Sequence, residues 1–277
     1  MRMAILFNLV VLCFAAATRG DIAGNALLFD GTDDYVHAPY IGDYQTPVFT
    51  MECWVYPTAD LTVKGGSLMG RGEDLTNDRA WAAMGVRTLA SPWGNGVGLL
   101  LEDNSDVDYV FSGDYFPPVN SWTHLAATRD AAGLLRLYVN GSLLEECVST
   151  VVPASVCEQE LTVAAYWNSG PPLLSGFFSG VIDEVRLWDV ARSTEQMEYY
   201  YNRLVDPASA GLIGYWDFDD GTGVVATDLT GKSNALLGLD GTGIDVPQWV
   251  NSTAPIIPEP TTLLMLGLGA VLLRKRK

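Results

Sequence analysis

The chain has 277 residues, with 33 acids against 16 bases and a formal net charge of −17. Six bases (Arg2, Arg19 and the four at the C-terminus) and one acid (Glu259) lie in the two ends, so the body from Asp21 to Ile257 holds ten bases against 32 acids, a net charge of −22. Such a body excludes nucleic acid as a partner, because phosphate binding rests on Lys and Arg, and its length suits a single all-β domain.

The N-terminus has a charge at Arg2, an apolar run from Ala4 to Phe14 and small residues at Ala15-Ala16-Ala17. This is the pattern of a signal peptide over residues 1–17, cut after Ala17, with Gly20 as the second choice. Cys13 leaves with it, and Cys53, Cys147 and Cys157 enter an oxidising compartment. Cys147 and Cys157 enclose nine residues between two strand-like runs, so a disulfide is expected there, worth ~2 to 3 kcal/mol by loop-closure entropy. Cys53 shares a strand face with Phe49, Met51 and Val55 and is expected to be buried.

From Asp21 onward the chain alternates short apolar runs with Gly, Asn, Asp and Pro turns, the pattern of an antiparallel sandwich or barrel. Strands are predicted over 26–29, 49–56, 97–102, 122–129, 134–139, 161–165, 180–188 and 211–218. Asn140-Gly141 predicts a two-residue hairpin, since both positions of that turn need positive φ. One helix is predicted, with Ser193 as N-cap and Gln196 completing a capping box, running to about Leu204 before Pro207. Residues 219–243, rich in Gly, Asp, Thr and Asn, predict a surface excursion, the region most open to disorder or to a site. The domain is assigned to residues 21–253, followed by a short linker over 254–257.

The last twenty residues open with Pro258-Glu259-Pro260, continue as an uncharged apolar run from Thr261 to Leu273, and end in Arg274-Lys275-Arg276-Lys277. This order resembles the PEP-CTERM signal of bacterial surface proteins. The resemblance implies an exosortase-type sorting enzyme as partner and cleavage near the Pro-Glu-Pro. Cations closing an apolar run stay cytoplasmic, which places the body outside the membrane. The run covers ~20 Å as a helix against a hydrocarbon core of ~30 Å. A transient anchor is therefore expected, with an uncut tail anchor as the alternative.

Four motifs within the body resemble the LamG-like, concanavalin A-like jelly-roll family: residues 26–36 (ALLFDGTDDYV), 49–55 (FTMECWV), Trp122-Thr123-His124-Leu125-Ala126 followed by 135–141 (LRLYVNG), and 180–188 (GVIDEVRLW). The segment 211–218 (GLIGYWDF) is similar to a strand that bacterial members carry beyond the core module. The resemblance implies two stacked antiparallel sheets, with a calcium ion in many members and a ligand face on a sheet or its rim. It implies no activity, because function lives in sites rather than folds.

In related sandwiches a structural Ca2+ sits where an early Asp-Gly turn meets a late strand, which here implies Asp30, the Gly31 carbonyl and Asp183 as ligands; calcium requires six to eight such oxygens. Glycan binding uses an exposed aromatic beside polar groups, so the loop residues Trp93 and Trp167 are the expected plates, with Arg71, Asp74 and Asp78 supplying hydrogen bonds. No catalytic residue is assigned. His37 and His124 lack a neighbouring nucleophile motif, Gln159 interrupts the carboxylates at Glu158 and Glu160, and strand alternation puts Asp183 and Glu184 on opposite faces. The sequence thus predicts an exported, surface-sorted, noncatalytic protein that binds glycans or other matrix components. The alternatives are a purely structural matrix protein and a polysaccharide-active enzyme.

Overall fold

The structure is a computed structural model that describes residues 24–39, 47–71, 81–91, 94–102, 107–152, 160–167, 174–239, 241 and 243–257. In chain order the strands are β1 (Gly24–Asp30), β2 (Val36–Ala38), β3 (Phe49–Pro57), β4 (Gly66–Arg71), β5 (Trp81–Arg87), β6 (Gly96–Glu102), β7 (Val107–Phe111), β8 (Thr123–Arg129), β9 (Leu134–Val139) and β10 (Ser142–Val148). They continue as β11 (Leu161–Val163), β12 (Tyr166–Trp167), β13 (Leu174–Ser175), β14 (Ser179–Trp188), then helix α1 (Thr194–Tyr200), β15 (Leu212–Trp216), β16 (Val225–Ala226), β17 (Ala235–Leu237) and β18 (Gln248–Ser252).

Two eight-stranded antiparallel sheets form the body. The first runs β10-β9-β8-β3-β14-β1-β18 with β15 also on β14, the second runs β16-β17-β2-β11-β4-β5-β6-β7, and β12-β13 form a small hairpin. Their inner faces share one core. From β3 it receives Phe49, Met51, Cys53 and Val55, and from the second sheet Leu68, Met84, Val97, Leu99 and Leu101, all essentially buried. The period-two alternation of each strand sorts these residues inward and their neighbours outward.

The safest local expectations hold. Asn140 and Gly141 both have positive φ, 48° and 79°, in the turn between β9 and β10. Ser193 caps α1, accepting from the Gln196 amide while Gln196 Oε1 accepts from the Ser193 amide at 2.9 Å. The helix ends earlier than the sequence predicts. Residues 202–204 bond instead to the end of the body, with Ile257 N donating to Asn202 O at 2.9 Å and Leu204 N to Ile257 O at 3.1 Å.

Residues 254–257 are accordingly no linker. Ala254 and Ile256 are 2% and 5% exposed and pack on Trp54. The expected surface excursion over 219–243 also supplies structure, contributing β16 and β17 to the edge of the second sheet. Asp228 fixes it: its carboxylate accepts from the amides of Tyr215, Thr230, Lys232 and Ser233. An acidic turn residue that reads as loop in sequence becomes a buried anchor when amides converge on it.

The outer face of the first sheet is covered by α1 and by residues 201–204 and 254–256. Beneath them the Glu52 carboxylate is fully buried, with Arg192 Nη1 and Trp188 Nε1 donating to one of its oxygens at 2.9 and 2.8 Å and His124 Nε2 lying 3.2 Å from the other without a hydrogen bond. Burial pushes the Glu52 carboxyl up, but Arg192, His124 and Arg186 outweigh it and hold the group well below the ordinary range. Arg192 also lies 4.2 Å from the centre of the Trp188 ring. His124, which the family motif places on this strand, is therefore a buried structural residue. Cys53 is fully buried as expected, with its thiol pushed above the ordinary range.

Candidate functional site

The outer face of the second sheet is built differently. Paired registers carry one row across it, His37, Thr162, Gly70, Ala83, Leu100 and Tyr109, and the next row contains Ser67, Gly85, Gly98 and Phe111. Alternation sends all of these away from the core, and their small size leaves a groove of about 400 Å³. That volume falls in the range of small-molecule and oligomer sites.

Two aromatic rings stand over the floor. Phe111 lies on Gly98, where any Cβ would collide with its ring, and Tyr166 lies on Gly176 in the same way. Glycine inside a strand permits this close approach at a cost in strand stability. Thr162 Oγ1 donates to the carbonyls of Gly70 and Ala165, and the amide of Ser67 donates to Gly176 O at 2.7 Å, which holds the β12–β13 hairpin against the sheet. Ser67 is 6% exposed and its hydroxyl, a lining group of the groove, has no hydrogen-bond partner. Arg87 lines one end, two residues beyond Gly85 on the same strand face. Among the described lining residues there is no carboxylate and no imidazole.

The expected ligand residues relate to this groove unevenly. Trp167 is one position off: Tyr166, its neighbour on β12, lines the groove, while the Trp167 indole N–H is buried without a partner. A one-residue shift exchanges faces on a strand, so an aromatic pair in a loop sequence does not say which ring faces the ligand. Arg71 closes β4, paired with Leu161 and Ala82. Trp93, Asp74 and Asp78 lie outside the described residues, as do the signal segment 1–17 and the tail 258–277. The groove residues Ser67, Arg87, Phe111 and Tyr166 escape sequence reading. Their one signal is glycine recurring at 85 and 98 inside strand-like runs.

The implied calcium ligands do not assemble. Asp30 pairs with Ser179, four residues before Asp183 on β14, which separates them by ~13 Å at the rise of a strand. No single ion bonded at ~2.3 to 2.6 Å spans that distance. The Gly31 carbonyl accepts from Lys64 Nζ at 2.5 Å, so a cation already sits there. Asp183 turns toward Ser252, whose hydroxyl donates to it at 2.5 Å, and burial followed by the Glu184 charge pushes its carboxyl well up. Asp30 instead groups with Asp33 and Asp34, whose ligand atoms lie within 4.8 Å of one another. Burial lifts the Asp34 carboxyl to about 6; the Asp30 amide opposes the lift, and the charges of Asp30, Asp33 and Asp245 add to it.

A further expectation is corrected by geometry. Asp183 and Glu184 do not point apart: a bulge in β14, with Glu184 at φ 52°, lets both line one acidic pocket of about 220 Å³ with Asp217 and Asp219. Glu184 is engaged there by Arg186 and by the Tyr215 hydroxyl, which donates at 2.7 Å. Cys147 carries a free thiol, 3.8 Å from the Tyr109 carbonyl, and its expected disulfide partner Cys157 lies outside the described residues. His37, on β2 two strands from β4 in the sheet order, has its Nδ1 2.5 Å from Glu160 Oε2.

Comparison with known proteins places the two stacked antiparallel sheets in a family. A model of the concanavalin A-like lectin/glucanases superfamily matches residues 30–198. The chain belongs to this superfamily. Residues 257–277 match the PEP-CTERM protein-sorting motif, which marks the chain for export and surface sorting. No helix among the described residues is long and apolar enough to cross a membrane.

Among solved structures, a candidate carbohydrate-binding protein of Bacteroides ovatus is similar at a TM-score of 0.65 and 22% identity, covering 85% of this chain and 62% of that one. The chain thus spans about three fifths of the length of that protein. A heptameric SAP-like pentraxin of Limulus polyphemus is similar at a TM-score of 0.50 and 15% identity, covering 78% and 95% of the two chains. The CBM40 module of a Ruminococcus gnavus sialidase, bound to α2,3-sialyllactose, is similar at 0.50 and 12%, covering 64% and 97%. At these identities the likeness is one of fold. No match is found among the curated proteins.

Proposed function

We propose that this superfamily member is a noncatalytic, surface-sorted glycan-binding protein, and that it binds its ligand in the groove over β4, β5 and β6. The observation that carries this reading is the pairing of a glycine-floored trough with two flat aromatic rings, Phe111 and Tyr166, at its walls. Aromatic faces pack on the apolar faces of sugar rings, while a small number of polar groups fix orientation. The absence of carboxylates among the described lining residues supports a binding role over hydrolysis, which calls for two carboxyl groups flanking the bond. Glu160, the carboxylate weighed as catalytic from the sequence, is occupied by His37.

The route of the chain supports a surface role. The body ends at Ile257, bonded to residues 202–204 on the covered side of the first sheet. The groove lies on the outer face of the opposite sheet. A protein held by its C-terminal tag therefore presents the groove away from its anchor. Calcium, where it is bound, is assigned to Asp30, Asp33 and Asp34.

The test is a polysaccharide binding panel with the full chain and with Tyr166→Ala and Phe111→Ala. The expected result is a loss of roughly tenfold or more in affinity for each variant, the cost of removing a central aromatic anchor, with the melting temperature little changed. Binding unaffected by both substitutions places the ligand elsewhere and overturns the groove.

A further inference from the structure

We infer that the groove selects sugars carrying an anionic group, a carboxylate or a sulfate, and that Arg87 reads that group. This rests on the groove being the glycan site. It is carried by where positive charge is left unspent in a strongly acidic body.

The exported body contains ten bases, of which Arg71 and Arg79 fall outside the described side chains. Of the remaining eight, seven are engaged. Lys64 bonds the Gly31 carbonyl, Arg129 the carbonyls of Pro47 and Val151, and Lys232 that of Leu212. Arg136 pairs with Glu146, Arg186 with Glu184, Arg192 with Glu52, and Arg203 bonds the Tyr199 carbonyl. Among the described residues the Arg87 side chain makes neither an ion pair nor a hydrogen bond, although acids outnumber bases by 32 to ten in this body. It is half-buried at the end of the groove.

A guanidinium presents a planar fork of donors that matches the oxygens of a carboxylate or sulfate, and it does so more strongly where water is partly excluded. No described lining residue carries a negative charge to repel such a group. The unpartnered hydroxyl of Ser67, more than nine-tenths buried in the same lining, offers a second polar contact to a ligand oxygen. From Gly85 to Arg87 is two residues, ~7 Å along the strand on one face, so a sugar seated over the glycine floor brings a substituent within reach of Arg87. The net charge of −22 repels polyanions at large, which restricts the gain to an anionic group seated at this residue.

The experiment measures affinity of the full chain for polygalacturonate against its neutral methyl ester, and for dextran sulfate against dextran, with Arg87→Gln, Arg87→Lys and Phe111→Ala. The expected result is that at least one charged polymer binds about tenfold or more tighter than its neutral counterpart, that Arg87→Gln removes this preference, and that Arg87→Lys retains more of it than Gln. Which pair shows the preference tells carboxylate from sulfate. Equal affinity for charged and neutral polymers overturns the inference, and so does a preference that survives Arg87→Gln in a variant with unchanged melting. Should Phe111→Ala abolish binding of all polymers while Arg87→Gln alters nothing, the groove stands and the role of Arg87 falls. No binding to any polymer, or binding that neither substitution changes, overturns the groove and this inference together.

Discussion

The outer face of the β3–β14 sheet and that of the β4–β6 sheet come from the same alternating pattern, yet they put it to opposite uses. On the first, Glu52, Arg192, His124 and Trp188 are sealed beneath α1 and residues 254–256; Arg192 and Trp188 both donate to one Glu52 oxygen, so the two charges answer each other, while the His124 nitrogens make no hydrogen bond. On the second, the equivalent outward positions are Ser67, Ala83, Gly85, Gly98 and Leu100, with Arg87 and the Ser67 hydroxyl unanswered. A covered face has to satisfy its buried charges internally, because the penalty for leaving one alone is large. On the second face the unanswered groups line a groove, where the ligand proposed above would reach them. On the proposed function, the first face stabilises the fold and the second binds.

The largest expected effect breaks the covered face. Glu52→Ala strands Arg192 and His124 in a buried site and is expected to cost ~3 to 5 kcal/mol in urea denaturation. Arg87→Gln is expected to stay within about 0.5 kcal/mol of the parent, as a substitution with no partner to lose. Comparable losses for the two would erase the distinction between the faces.

Next in size is the binding loss from Phe111→Ala or Tyr166→Ala, tenfold or more with the fold intact. Gly98→Ala sharpens it from the other side: a methyl group here displaces the Phe111 ring, so affinity should fall although an apolar atom has been added.

Calcium gives a smaller effect away from both faces. Excess Ca2+ is expected to raise the melting temperature by about 2 °C, the shift that ~1 kcal/mol produces at this size, and Asp33→Asn should abolish the rise. No response to Ca2+ or to a chelator removes the metal from Asp30, Asp33 and Asp34.

The smallest effect is a pH dependence. Burial, opposed by the Asp219 amide and reinforced by the charges of Asp219, Glu184 and Asp220, raises the Asp217 carboxyl from its ordinary 3.8 to about 6. The folded chain holds this proton more tightly than the unfolded one, so the associated stability is fully present below about pH 4 and is lost as pH rises through 6. Asp217→Asn is therefore expected to raise the melting temperature at pH 7.5 and to match the parent near pH 4. His124 works in the opposite direction: burial lowers its pKa, so the folded chain keeps it neutral and stability falls as pH drops below about 6.5.

Much of the frame was legible before any coordinates. Alternation located the long strands, Asn140-Gly141 set the β9–β10 hairpin, and Ser193 with Gln196 set the start of α1, because each signal acts over a few residues. The site was less legible. Trp167 carried the expectation and Tyr166 faces the groove; Asp30 and Asp183 were expected together and lie at different heights of one strand pair.

The sequence by itself determined the strand pattern, the acidity of the body and the address written at its C-terminus, since these depend on local composition and spacing. Tertiary structure alone decided which outer face would be covered, that the bulge at Glu184 would turn Asp183 and Glu184 into one pocket, and that glycines 85 and 98 would floor a groove with Arg87 at its end. Those outcomes rest on registers between strands distant in the chain, such as β3 with β14 and β2 with β11. A slip of one residue in such a register exchanges every inward and outward side chain, and no local signal fixes it.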